Sequence, residues 1–160
     1  MDRRPFLIGC SGVLASALVP LFAGASPSAK AKWKSLLPAA SYRVLFEEAT
    51  EPSDSSPLNS EKRAGTYICA ACFQPLFDSS TKFESGTGWP SFYNHLPAAL
   101  GTTTDYKLIW PRKEYHCSRC RGHQGHVFDD GPKPTGLRYC NNGVALRFVA
   151  KGEKLPGLRA

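Results

Sequence analysis

The sequence predicts a small, mostly antiparallel β domain over residues 33–150 with a short helical lead-in. Three observations carry that reading. Strand-like runs dominate the chain after residue 65. The 14 glycines and 13 prolines among 160 residues cut those runs short, which argues against a helical bundle. Two C-x-x-C pairs, Cys69/Cys72 and Cys117/Cys120, offer the metal staple on which small domains rely. With 42% hydrophobic and 21% charged residues, the chain can bury a core and is not disordered by composition.

Residues 1–25 read as an export signal rather than as fold. Arg3-Arg4 precedes Pro5-Phe6-Leu7, residues 5–29 carry no charge, and Ala23-Gly24-Ala25 has the small residues that a signal peptidase accepts. Adjacent arginines followed by Phe-Leu resemble the twin-arginine type, so an exported, periplasmic protein is expected. An uncleaved membrane anchor is the lesser alternative, because about 20 apolar residues span a bilayer; Pro20 and the Ala-x-Ala end favour cleavage. Leu7-Ile8-Gly9-Cys10 has the form of a lipoprotein box, but too little apolar chain precedes it. Cleavage removes two arginines and one aspartate from the net charge of +7, and it removes one of six cysteines. The five that remain are an odd number, which in an oxidising compartment leaves a reactive or intermolecular thiol.

Residues 26–32 read as a small-residue linker. Residues 38–48 read as a short helix, with Pro38 suited to its first turn. Residues 51–60 are a polar loop rich in Pro and Ser. Strands are expected at residues 66–68, 107–110, 126–128 and 144–149. In the last, Val144, Leu146 and Phe148 share one face, and Arg147 lies on the other with Ala145 and Val149. Residues 151–160 form a C-terminal tail.

The two cysteine pairs are separated by 44 residues. Each lets two thiolates converge from one tight turn, and together they make a tetrahedral S₄ site suited to zinc. Two disulfides or a redox pair are the competing readings. A thioredoxin-like site, however, has a single C-x-x-C ahead of a helix, whereas each pair here follows or adjoins extended chain. Four thiolates leave no open position, so the metal would be structural.

Cys140 lies outside that arithmetic, and a buried inert cysteine is the ordinary alternative. Arg138 sits two residues away, on the same face of an extended segment, where it could lower the thiol pKa. His123 and His126 supply imidazoles that could donate protons near a thiolate. Trp89 lies between Gly88 and Pro90 in a loop, an unusual place for a core tryptophan.

These motifs resemble, in order, those of the B-type methionine sulfoxide reductases. The resemblance runs through residues 65–72, Pro75-Leu76-Phe77, Lys82-Phe83 and residues 85–92, then Cys117 to Cys120, residues 123–136 and residues 138–142. It covers about residues 33–149 and implies a zinc-stapled, β-tent-like fold of two antiparallel sheets. It further implies reduction of the R epimer of methionine sulfoxide in oxidised proteins. Cys140 would be the nucleophile, and Trp89 would cradle the S-methyl group. His123, His126 and Asn142 would hold or protonate the sulfoxide oxygen, Arg138 would flank the thiolate, and Phe128 would line the apolar side. Cys69, Cys72, Cys117 and Cys120 would hold the zinc. Arg121-Gly122 stands where the family usually has Gly-Gly, and Gly143 where Ser is common. Thr87 occupies a position often taken by the resolving cysteine, so an external thioredoxin-like or small-thiol reductant is expected to regenerate Cys140. The chain is expected to act as a monomer.

Two other classes compete. A basic domain with paired knuckles could be a zinc-ribbon module for nucleic acid or protein. Its Lys and Arg residues are scattered, an export signal removes it from nucleic acid, and Cys140, the histidines and the Trp loop would have no role. No nucleic-acid partner is expected. A disulfide-exchange enzyme would need a redox C-x-x-C, and that reading fails if both pairs hold metal.

Overall fold

The structure is a computed structural model that describes residues 27–106 and 110–159. The export signal and residues 107–109 of the expected 107–110 strand lie outside the described residues. Among those described, no helix is long and apolar enough to cross a membrane.

Two helices lead in. Helix α1 spans Pro27–Leu36 and α2 spans Ala39–Glu47. The segment 26–32, expected as a linker, is therefore helical from Pro27. Its alanines and lysines are strong helix formers, and proline is well tolerated in a first helical turn. Trp33 anchors α1, its ring stacked on Phe46 of α2 at 5.9 Å. Pro38 sits at the N-cap of α2 rather than inside it.

Nine strands follow: β1 Gly65–Cys69, β2 Pro75–Asp78, β3 Lys82–Phe83, β4 Ser91–Phe92, β5 Leu100–Asp105, β6 Arg112–Cys117, β7 His123–Phe128, β8 Arg138–Asn141 and β9 Leu146–Ala150. They form two antiparallel sheets, as the resemblance implied. One is three-stranded, ordered β2-β1-β9; the other is six-stranded, ordered β3-β4-β8-β7-β6-β5. Strand β9 begins only at Leu146, because Gly143–Ala145 form a 3-10 turn. From there the expected alternation holds: Leu146 is buried, Arg147 is exposed, and Phe148 packs on Tyr67 at 5.0 Å.

The core lies between the sheets and is largely aromatic. Phe77 stacks on Phe92 at 4.2 Å, Tyr67 meets Phe92 edge-on at 4.9 Å, and Tyr115 meets Tyr139 at 5.3 Å. These offset and edge-to-face arrangements suit the ring quadrupoles. Helix α2 packs on β7 and on the 143–145 turn, so the lead-in seals one end of the larger sheet.

Candidate active site and metal centre

Both cysteine pairs are built by the same turn. The Phe73 amide donates to the Cys69 carbonyl and the Arg121 amide to the Cys117 carbonyl, each at 3.0 Å. Phe73 and Arg121 both adopt positive φ, at 64° and 63°. A glycine would sit there more easily: a β-carbon in the left-handed region costs about 1–2 kcal/mol, a penalty that Phe73 and Arg121 both carry. The four sulfurs lie within 4.8 Å of one another, with Cys69 Sγ to Cys120 Sγ at 3.7 Å and Cys72 Sγ to Cys117 Sγ at 3.5 Å. A tetrahedron of Zn–S bonds has edges of about 3.8 Å, so the cluster fits a structural zinc. Gln124 Nε2 donates to Cys69 Sγ at 3.5 Å, orienting one ligand from β7. The tail closes the first knuckle, since the Arg159 guanidinium donates to the carbonyls of Ala70 and Ala71 at 2.7 and 2.8 Å and lies over the Phe73 ring.

A separate cleft of about 130 Å³ is lined by Thr50, Trp89, Arg112, His126, Phe128, Cys140 and Asn142, with the backbone of β7 and β8. Strand pairing assembles most of it. Cys140 lies directly opposite His126 in the β7–β8 ladder, and Arg138 directly opposite Phe128. These four side chains therefore share one face of the sheet, while Tyr115, Gly125 and Asn141 point into the core. The Arg138 guanidinium lies 4.4 Å from the Phe128 ring centre. Asp130 holds it there in a two-pronged pair, Arg138 Nε and Nη2 each donating at 2.8 Å.

Among the described residues, Cys140 is the one cysteine outside the metal cluster. Burial pushes its thiol up; the charge of Arg138 and hydrogen bonds from the Thr87 hydroxyl and from Arg138 pull the other way without cancelling that effect. Arg138 thus acts in the direction the sequence suggests, but desolvation prevails. His126 Nε2 donates to Asp105 Oδ2 at 2.8 Å, and Arg112 Nη2 donates to the same oxygen at 2.9 Å. Burial lowers the His126 pKa despite that carboxylate, so the ring is neutral at pH 7 and keeps one nitrogen unengaged by Asp105.

Two residues of the expected set do not line the cleft: Arg138, which shares its face of the sheet and reaches it over Phe128, and His123. His123 is 3% exposed and stands behind His126, ring centres 5.5 Å apart, with Nδ1 against Glu114 Oε1 at 2.8 Å. Burial alone would raise the Glu114 pKa, but His123 holds it below the ordinary range. Asn142 lines the cleft with its amide already engaged: Oδ1 accepts from the Glu51 amide and Nδ2 donates to the Gln124 carbonyl, both at 3.0 Å.

Sequence reasoning missed Asp105, Arg112 and Glu51. The first two lie at the ends of strands too polar to read as strands. Glu51 sits at the head of the polar loop and is 6% exposed. Its carboxylate accepts from the amides of Gly143 and Val144, the latter at 3.0 Å, and its carbonyl accepts from Trp89 Nε1 at 3.2 Å.

A two-sheet β domain with a closed Cys₄ site and a lone thiol facing an imidazole across a strand pair defines a zinc-type scaffold carrying a thiol cleft. The SelR domain family matches residues 37–150. Peptide methionine sulfoxide reductase MsrB of Methanosarcina barkeri is 48% identical over 127 residues, covering 79% of this chain and 89% of the relative. The MsrB of Thiobacillus denitrificans is 49% identical over 78% of this chain and 96% of its own length. Peptide methionine sulfoxide reductase B1, chloroplastic, of Arabidopsis thaliana is 46% identical over 74% of this chain and 59% of its own length. The chain belongs to the SelR-domain MsrB family.

Proposed function

We propose that this protein reduces methionine-R-sulfoxide in oxidised proteins to methionine, with Cys140 as the nucleophile. The observation that carries the reading is the β7–β8 register, which sets Cys140, the one thiol outside the metal cluster among the described residues, opposite a neutral imidazole inside an aromatic-walled cleft. Cys140 passes its proton to the His126 nitrogen that Asp105 leaves unengaged, and the thiolate attacks the electron-poor sulfoxide sulfur. His126 returns the proton toward the departing oxygen, which ends on Cys140 as a sulfenic acid while methionine leaves. Trp89 and Phe128 take the apolar methyl end, and Arg138 stabilises the thiolate as it forms. His123 supports His126 from behind, and Asn142 shapes the wall near the oxygen. Two thiols of an external thioredoxin-like or small-thiol reductant then return Cys140 to its thiol, releasing water and a disulfide. Thr87 stands against Cys140 where a resolving cysteine would act, which supports the external route.

The test is turnover of the two sulfoxide epimers with dithiothreitol, followed across pH. The R epimer should be consumed and the S epimer left. A protonated His126 cannot accept the thiol proton, and its pKa lies below the ordinary 6.5, so on the acid side the rate should begin to fall only below that value. Equal consumption of both epimers would reject the reading.

Residues 1–25 we read as a twin-arginine export signal delivering a monomeric, zinc-loaded enzyme to the periplasm, on the strength of Arg3-Arg4 and the uncharged run after them. A reporter fused after Ala29 should be exported, and Arg3→Lys with Arg4→Lys should block it; export that persists would count against the twin-arginine route.

A further inference from the structure

We propose that Glu51 is the positioning residue that fixes the width of the substrate slot, an inference that rests on the reductase reading of the cleft. The two walls of that slot come from remote parts of the chain. Trp89 lies in the loop between β3 and β4, and Asn142 follows β8. One residue touches both. The Trp89 indole N–H donates to the Glu51 carbonyl at 3.2 Å, and the Glu51 amide donates to Asn142 Oδ1 at 3.0 Å. The main chain at residue 51 is thus a strut between the tryptophan wall and the nucleophile strand.

The carboxylate is what makes the strut rigid. A glutamate 94% buried is costly unless its oxygens are satisfied. Here one oxygen accepts from the Gly143 amide and the other from the Val144 amide at 3.0 Å, two donors that the start of the 143–145 turn would otherwise leave unpaired. The loop therefore docks onto the segment immediately after Cys140-Asn141-Asn142, and its main chain then meets Trp89. Gly143 allows the approach. A β-carbon there would lie 1.9 Å from Ser56 Oγ, 2.5 Å from Ser56 Cβ and 3.2 Å from Glu51 Oε1, so even the serine common in the family would push this loop outward, since turning the Ser56 hydroxyl leaves its β-carbon in place. Glu51 does not line the cleft and handles no proton of the reaction; it acts through Trp89 and Asn142.

The test is Glu51→Ala beside Glu51→Gln, in the full chain, with rates expressed per methionine released in a single turnover without reductant so that unfolded protein does not count. For methionine-R-sulfoxide, Glu51→Ala should raise KM about tenfold, with a smaller change in kcat, because a slot of wrong width loses substrate contacts first. Glu51→Gln keeps one acceptor oxygen and should fall between alanine and wild type. The emission of Trp89 should shift in Glu51→Ala, and the shift should vanish when Trp89→Phe is added. The effects of Glu51→Ala and Trp89→Ala on KM should be far from additive. Unchanged KM, or unchanged Trp89 emission, would overturn the proposal and leave Glu51 a residue of stability alone. Were the wild-type chain inert toward the R epimer, the reductase reading would fall, while the emission measurement would still decide whether Glu51 positions Trp89.

Discussion

Cys140→Ser is expected to lower sulfoxide reduction by about a thousandfold or more, because the reaction loses its nucleophile rather than one of several supporting contacts. Serine is nearly isosteric, but its hydroxyl ionises far above any working pH, and neither Arg138 nor His126 can close that gap. Zinc content and thermal stability should be unchanged, since Cys140 takes no part in the four-sulfur cluster. Wild-type protein given substrate without reductant should carry a dimedone-reactive sulfenic acid at Cys140 and no internal disulfide. A disulfide between Cys140 and a knuckle cysteine, with zinc released, would show that the cluster itself resolves the intermediate. Residual turnover above a few per cent in Cys140→Ser would move the nucleophile elsewhere.

Cys72→Ser should have the other large effect, and on the fold rather than the chemistry. Domains of this size are stable by about 5–15 kcal/mol, and a structural zinc contributes binding free energy of similar size. Loss of one thiolate should therefore release the metal and unfold the small sheet, since β1 leads directly into the first knuckle and the Arg159 contacts have no anchor without it. The measurement is metal content beside a thermal melt. Retention of one zinc per chain with an unchanged transition would show that the cluster is dispensable. Chelation of the wild-type protein should have the same outcome as the substitution. A thiol titration of the native, zinc-loaded protein lacking residues 1–25 should find one fast-reacting thiol, Cys140.

Local chemistry was legible in the sequence, and long-range pairing was not. Cys69, Cys72, Cys117 and Cys120 could be placed together from spacing alone, because a C-x-x-C turn and a tetrahedral metal leave few alternatives. Cys140 and Trp89 stood out because their surroundings gave them no ordinary role. Strands β5 and β6 were hidden by their composition, one rich in threonine and the other in charge; what makes them strands is the partner across the sheet. The same pairing carries Asp105 to His126 and sets His123 behind it rather than beside the substrate, distinctions that a three-residue spacing on one strand does not contain. Glu51 left no local signal at all. A single glutamate in a polar loop looks solvated until residues 143 and 144, some 90 positions on, are seen donating to it.

On the proposed mechanism, the pairing of His126 with Cys140 ties catalytic competence to strand register. Side chains alternate along β8, so a slip of one residue against β7 would turn Cys140 into the aromatic core and present Asn141 or Tyr139 to the cleft. Gly125 guards against that error. A β-carbon there would lie 1.9 Å from the Cys140 carbonyl, so β7 and β8 meet at a distance that only this residue permits. Such a slipped population would keep its zinc and much of its sheet content, and would pass as native by either criterion. It would be chemically silent, and a preparation's active fraction would measure strand registration as well as the oxidation state of Cys140.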